Sequence, residues 1–247
     1  MVHKLALIAV LGLTGSAVCM GAAAAIGGRE FGRSWGDGMD LGMFMDRDRP
    51  RCERMNGATA TSRDLDWDGS DAFSMAVPGH ASYTPGSDNQ VHVSGDAQLL
   101  AHLRVRDGRL EMNCRGWRGD SDALTIILPG REFKKFGIAG SGNLVLSKLD
   151  QERVKLSIAG SGSIKADGKV EQAEIHIAGS GDADLAQVKT SVANVHIAGS
   201  GNTDIAPTDE ADIHIAGSGD VNLHSNPKKL ETHIAGSGRI RNISSGG

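Results

Sequence analysis

Residues 173–185 read AEIHIAGSGDADL, and the chain repeats nearly the same phrase six times. IAGSG begins at Ile138, Ile158, Ile177, Ile197, Ile215 and Ile234, at intervals of 20, 19, 20, 18 and 19 residues. Around each copy the apolar residues alternate, the two-residue period of a strand with one buried face. Ala173, Ile175 and Ile177 point one way, and Glu174 and His176 the other. Beyond the Gly-Ser-Gly corner, Ala183 and Leu185 point in while Asp182 and Asp184 point out. The other copies follow the same rule. Val154, Leu156 and Ile158, then Ala193, Val195 and Ile197, then Ala211, Ile213 and Ile215 face inward before their corners. Leu144 and Leu146, Ile164 and Ala166, Thr203 and Ile205, Val221 and Leu223 face inward after them.

One copy cannot bury its own apolar side, but stacked copies cover one another. Each copy is read as two short strands joined by a glycine corner, followed by a connector of variable length. The expected fold is all-β, a parallel β-solenoid of about 19 residues per coil, with a short β-rich lead-in before it. Right-handed winding is favoured by the chirality of parallel crossovers. The structural corners are Gly140, Gly142, Gly160, Gly162, Gly179, Gly181, Gly199, Gly201, Gly217, Gly219, Gly236 and Gly238. A sharp backbone turn with positive φ, and the coil above, both call for glycine there.

Stacking turns every outward residue into a column with a spacing of about 4.8 Å. His176, His196, His214 and His233 form one such column, beside Glu174, Asn194, Asp212 and Glu231. Imidazoles at that spacing, with carboxylates nearby, have the donor types of a transition-metal site. The plainer reading is an exposed ladder of flat rings carried along by duplication, and it is preferred, with no metal assigned. A second column carries Asp182, Asn202 and Asp220, with Asp184, Asp204 and Asn222 beside it. Its acids fall out of register with calcium-binding nonapeptide repeats, and the Asp/Asn mixture relieves like-charge repulsion. Asp64, Asp66, Asp68 and Gly69 match half of an EF-hand loop, but position twelve is Met75 and no helix pattern flanks it. Arg118–Asp120 spells an integrin-type RGD tripeptide, which three residues produce readily by chance.

The rest of the chain is less regular. Residues 1–25 read as a signal peptide: Lys4, an apolar run from Leu5 to Val18, and small residues at Ala22–Ala25. Cys19 follows Val18, too bulky for a good lipid-attachment site. Cleavage near Ala25 takes the net charge from −4 to −5. No basic run suggests a nucleic-acid partner, and the leader is too short and Gly-rich for a membrane span. Residues 26–60 read as a disordered tail. Residues 61–243 form the domain, of which 138–242 are the regular coils. Short strands are expected at AFSMAV, NQVHV, RLEMN and ALTIIL, a hairpin turn at Asp107-Gly108, and one helical turn at DAQLLAHL capped by Asp96. An exported chain left with Cys52 and Cys114 most simply pairs them; two free buried thiols are the alternative. With few aromatics, a thin core of Ile, Leu, Val and Ala is expected.

VRDGRLEMNC, then ALTIILPGREFKKFGIAGSGNL, then the serial Gly-Ser-Gly corners resemble the head GIN domain family of auto-transporter adhesins. The resemblance covers roughly residues 61–243. It implies an exported β-solenoid of the bacterial envelope, in the periplasm or at the cell surface, and supplies no catalytic residues or cofactor.

Nucleophile elbows, phosphate loops, H-E-x-x-H and C-x-x-C motifs are missing. The expected function is therefore a non-catalytic binding or adhesion module, with an envelope or surface protein or polysaccharide as partner. A polysaccharide-active β-helix enzyme would need a non-repeating cluster of acids or bases. A self-associating structural protein would use the solenoid ends, although the polar RIRNISSGG terminus suggests a cap.

Overall fold

The computed structural model describes residues 50–52, 61–86, 88–116 and 124–243. It is a parallel β-solenoid of about five turns with about 20 residues per turn, and 70% of the described residues are strand and 3% helix. The lead-in contains β1 (Ser62–Asp66), β2 (Ala72–Met75), β3 (His80–Tyr83), β4 (Gln90–Gly95), α1 (Ala97–His102), β5 (Leu103–Arg106), β6 (Arg109–Met112) and β7 (Leu124–Ile127). The stack follows as β8 (Lys135–Gly140), β9 (Asn143–Gly160), β10 (Ser163–Gly179), β11 (Asp182–Gly199) and β12 (Asn202–Gly217). It ends in β13 (Asp220–Leu223), β14 (Lys229–Gly236) and β15 (Arg239–Asn242).

The registers are those of a ladder with one rung per repeat. Ile177 lies beside Ile158 and Ile197, and Ile215 beside Ile197 and Ile234. Every residue expected to face inward in these coils is buried. The strands, however, are longer than two short arms per repeat. β9 to β12 run continuously from one corner to the next, passing through the connector. The connector adds buried residues to the core: Leu149 and Val188 in one column, with Gly168 between them, and Val170 beside Thr190 in the next. Differences in repeat length are absorbed there as register shifts, as between Leu185 and Thr190.

The corners use their two glycines differently. Gly199 has φ +135°, and a Cβ on it would lie 2.1 Å from the Gly179 carbonyl oxygen. Gly201 has no positive φ. It is glycine because a Cβ would meet the Gly181 oxygen at 2.2 Å and Ile177 Cγ2 at 2.7 Å. Backbone conformation and coil-to-coil contact thus exclude a side chain at the first position, and contact alone at the second.

The lead-in hides a further coil. β2 pairs parallel with β8, Met75 beside Ile138, and β3 pairs parallel with β9, His80 beside Asn143. Met75–Gly79 therefore occupies the place of an IAGSG corner. β6 and β7 lie on the other side of β2 and β3, so a later segment stacks outside an earlier one. Beyond them β4 and β5 run antiparallel to β7 and β6. The Asp107-Gly108 turn joins β5 to β6 with φ of +50° and +71°. Asp96 caps α1 through the N–H groups of Gln98 and Leu99.

The core here is not the thin aliphatic one expected. Trp67, Phe73, Tyr83, Phe133 and Phe136 form one cluster, with neighbouring ring centroids 5.1–6.3 Å apart. Cys52 is bonded to Cys114. Arg51 bridges to Arg115, and the Cys52 N–H donates to the Arg115 carbonyl at 2.9 Å. Residues 51 and 52, within the segment expected as a tail over 26–60, are thereby joined to the chain around Cys114. The rest of that segment, the signal peptide, Cys19 and the Arg118–Asp120 tripeptide lie outside the described residues.

Candidate functional site

Strand alternation puts the four histidines on the side of β10, β11, β12 and β14 opposite the core, and parallel register stacks them. His176 and His196 have ring centroids 4.9 Å apart and planes within 5°. His196 and His214 follow at 5.0 Å and 15°, then His214 and His233 at 4.7 Å and 22°. The ladder is not uniformly exposed. His176 is 4% exposed; it sits in register over the small Ser157, with His196 stacked above. His233, on the last coil, is open to solvent.

The neighbouring column supplies acid partners. His176 Nε2 lies 2.5 Å from Glu174 Oε1, and Lys155 Nζ lies 3.1 Å from the same oxygen. The hydrogen bond from His176 holds the Glu174 carboxyl well down, at about 2, with the charges of His176 and Lys155 adding to it. Asp212 Oδ1 lies 3.0 Å from His214 Nε2, close enough for an ion pair but without hydrogen-bond geometry. His196 has Asn194 as its column neighbour, not an acid. Burial pushes its imidazole down to about 4, and the positive charges of His176 and His214 push the same way. Burial is the larger cause and ring-to-ring repulsion the smaller.

Nearly parallel rings point their ring-nitrogen lone pairs side by side, not toward a common centre. Among the described residues no group of three or more His, Cys, Asp or Glu is disposed to hold a metal ion.

The second column is a hydrogen-bond ladder. Asn202 donates to Asp182 through both its backbone N–H and its Nδ2, each at 3.0 Å. The Asp220 N–H donates to Asn202 Oδ1 at 3.3 Å, and Asn222 Nδ2 to Asp204 Oδ1 at 3.1 Å. Lys165 pairs with Asp184, and Arg241 with Asp220, both at 3.0 Å. The Asp/Asn alternation therefore links one coil to the next.

The half EF-hand is not assembled. Asp64 faces His92 at 2.8 Å, and Asp66 accepts from Gln90 at 3.0 Å. Asp68 accepts from the N–H groups of Ser70 and Gly108. Tyr83 and Trp67 do not form sugar-stacking platforms: Tyr83 is buried with its hydroxyl donating to the Arg131 carbonyl, and Trp67 packs on Phe73 and Phe133.

The family described as "Putative auto-transporter adhesin, head GIN domain" matches residues 75–227. No curated protein matches the chain. The crystal structure of a protein described as a putative adhesin from Bacteroides fragilis NCTC 9343 shares the fold. Its TM-score is 0.59 at 16% identity, over 74% of this chain and 96% of that one. A protein described as a putative lipid binding protein from Parabacteroides distasonis ATCC 8503 matches with TM-score 0.47 at 18% identity, over 76% and 98%. Within the described residues no helix is long and apolar enough to cross a membrane. The chain belongs to the head GIN domain family.

Proposed function

We propose that this chain is an exported, non-catalytic binding module of the bacterial envelope whose solenoid sides carry the contacts. The observation behind this reading is the regularity of the two outward faces. From β10 to β14 each coil presents the same polar positions at the same height, one coil apart. A flat, extended surface with a repeat of about 4.8 Å suits an extended partner, either a polysaccharide or a protein strand. A hydrolytic or eliminative site would instead need acids and bases converging on one scissile bond. The acids here are engaged in coil-to-coil hydrogen bonds and ion pairs. Export fits the Cys52–Cys114 bond, which an oxidising compartment would preserve.

The test is retention of purified cell-wall polysaccharides and envelope proteins on the immobilised chain. Wild type would be compared with a double variant, Asp184→Lys and Asp204→Lys, that reverses charge on one face. Selective loss of one retained species in the variant supports the reading. Equal retention by both, or depolymerisation of a polysaccharide by the wild type, overturns it.

A further inference from the structure

The two ends of the solenoid are finished differently. At the N-terminal end, β4, β5 and α1 lie over the β6–β7 coil, and the outer strands β1 and β5 carry Arg63, Asp64, Asp66, Arg104 and Arg106. Charges of this kind discourage a further strand from pairing. At the C-terminal end β14 pairs only with β12, and β15 only with β13, among the described residues. The RIRN segment expected to cap the end is instead β15, the last half-coil itself.

β14 carries the core columns into open space. Leu230 and Ile234 lie in register with buried Ala211 and Ile215, yet they are 47% and 44% exposed. Thr232 stands where the earlier coils place Ile175, Val195 and Ile213. The Ser237 N–H donates back to Gly217, and Lys155, the counterpart of Glu231 four coils earlier, donates back to Lys134. By alternation along a parallel strand, the N–H and C=O groups of Leu230, Thr232 and Ile234 therefore point away from the stack.

The sequence Leu230-Glu231-Thr232-His233-Ile234 is self-complementary when reversed about Thr232. We propose that two copies of this chain join tail to tail, β14 against β14, antiparallel about a two-fold axis at Thr232. In this register each Leu230 lies opposite Ile234 of the second copy, and the two Thr232 residues face each other. Each Glu231 lies opposite His233 of the second copy, an acid against a base. The outward-pointing backbone groups of residues 230, 232 and 234 become hydrogen-bonded pairs, and the apolar columns continue from one copy into the other. The covered opposite end stops further growth, so this isologous contact closes at two copies. The proposal does not depend on what the solenoid sides bind.

Sedimentation equilibrium of the full mature chain tests it. Wild type should sediment as a dimer. Thr232→Lys, which places two like charges face to face at an exposed position, should be a monomer at the same concentration with an unchanged circular dichroism spectrum. Under mild oxidation Thr232→Cys should form a disulfide-linked dimer, because residue 232 meets itself across the axis. Glu231→Cys should not, because residue 231 meets residue 233. A monomeric wild type, a dimeric Thr232→Lys, or equal linkage of both cysteine variants would overturn the proposal.

Discussion

The lead-in and the regular stack build the same coil by different means. In the stack, one solution is applied at every level: an isoleucine inside, a glycine pair at the corner, a polar ladder outside. In the lead-in, Met75–Gly79 makes the corner without that solution, and an aromatic cluster, a capped helical turn, a hairpin and a disulfide hold the coils around it. Repetition makes the cost of a change depend on the column. Irregular packing makes it depend on the individual residue.

The largest effect should come at a corner with a coil directly beneath. Gly199→Val combines a Cβ 2.1 Å from a carbonyl oxygen with an unfavourable φ, and should destabilise by roughly 3–5 kcal/mol. Gly140 is the corner that faces the lead-in. Its φ is +112°, but a Cβ there would meet nothing within 4 Å. Gly140→Ala should cost only about 1–2 kcal/mol, from backbone conformation alone. Equal losses in denaturant melts of the two variants would remove the distinction between the regions.

The lead-in has its own vulnerable point in the Cys52–Cys114 bond, which closes a sequence separation of 62 residues. Cys52→Ser with Cys114→Ser should lose roughly 2–4 kcal/mol. The unreduced wild type should be two hydrogens lighter than the reduced form by mass spectrometry. Two alkylatable thiols in never-reduced protein would contradict this.

Acid should act on the stack through its ladder. The folded His196 imidazole sits near 4, below its ordinary value of 6.5. The unfolded chain therefore takes up that proton first. The stabilisation is intact above about pH 6.5 and is lost as pH falls toward 4, on the order of 3 kcal/mol. Glu174, held near 2 instead of 4.5, adds a second loss at lower pH, between those two values. His196→Gln should flatten the upper part of a stability–pH curve and leave the lower part. An unchanged slope between pH 6.5 and 4.5 would count against the buried ladder.

The smallest effect should appear on the second face. Asn202→Asp places three carboxylates in one column and removes the Nδ2 donor to Asp182. The site is exposed, so the loss should be about 1 kcal/mol or less, and salt should reduce it. A loss that does not respond to ionic strength would mean that the missing donor, not repulsion, is responsible.

The coils were legible because their period, their alternation and their glycines describe one object. What was not legible depended on neighbours that spacing does not encode. Met75–Gly79 shares only its alanine and final glycine with IAGSG, so the additional coil looked like an isolated strand and turn. The stacking of β6–β7 outside β2–β3 reverses chain order, which no local pattern records. The histidine column was visible from alternation, but its graded burial was not. At one end His176 is stacked under His196 and paired with Glu174, which Lys155 also holds; at the other, no described coil lies beyond His233.

The stacked register can be tested by disulfide trapping on the outward face of the ladder. Asn194 and Asp212 are partners on adjacent strands, whereas Asn194 and Glu231 are two coils apart. Adjacent parallel strands lie about 4.8 Å apart, within reach of a disulfide, and two coils span about twice that, beyond it. Asn194→Cys with Asp212→Cys should oxidise to an additional intramolecular disulfide, and Asn194→Cys with Glu231→Cys should keep two free thiols. Bridging of the second pair with none in the first would contradict the one-repeat-per-coil solenoid.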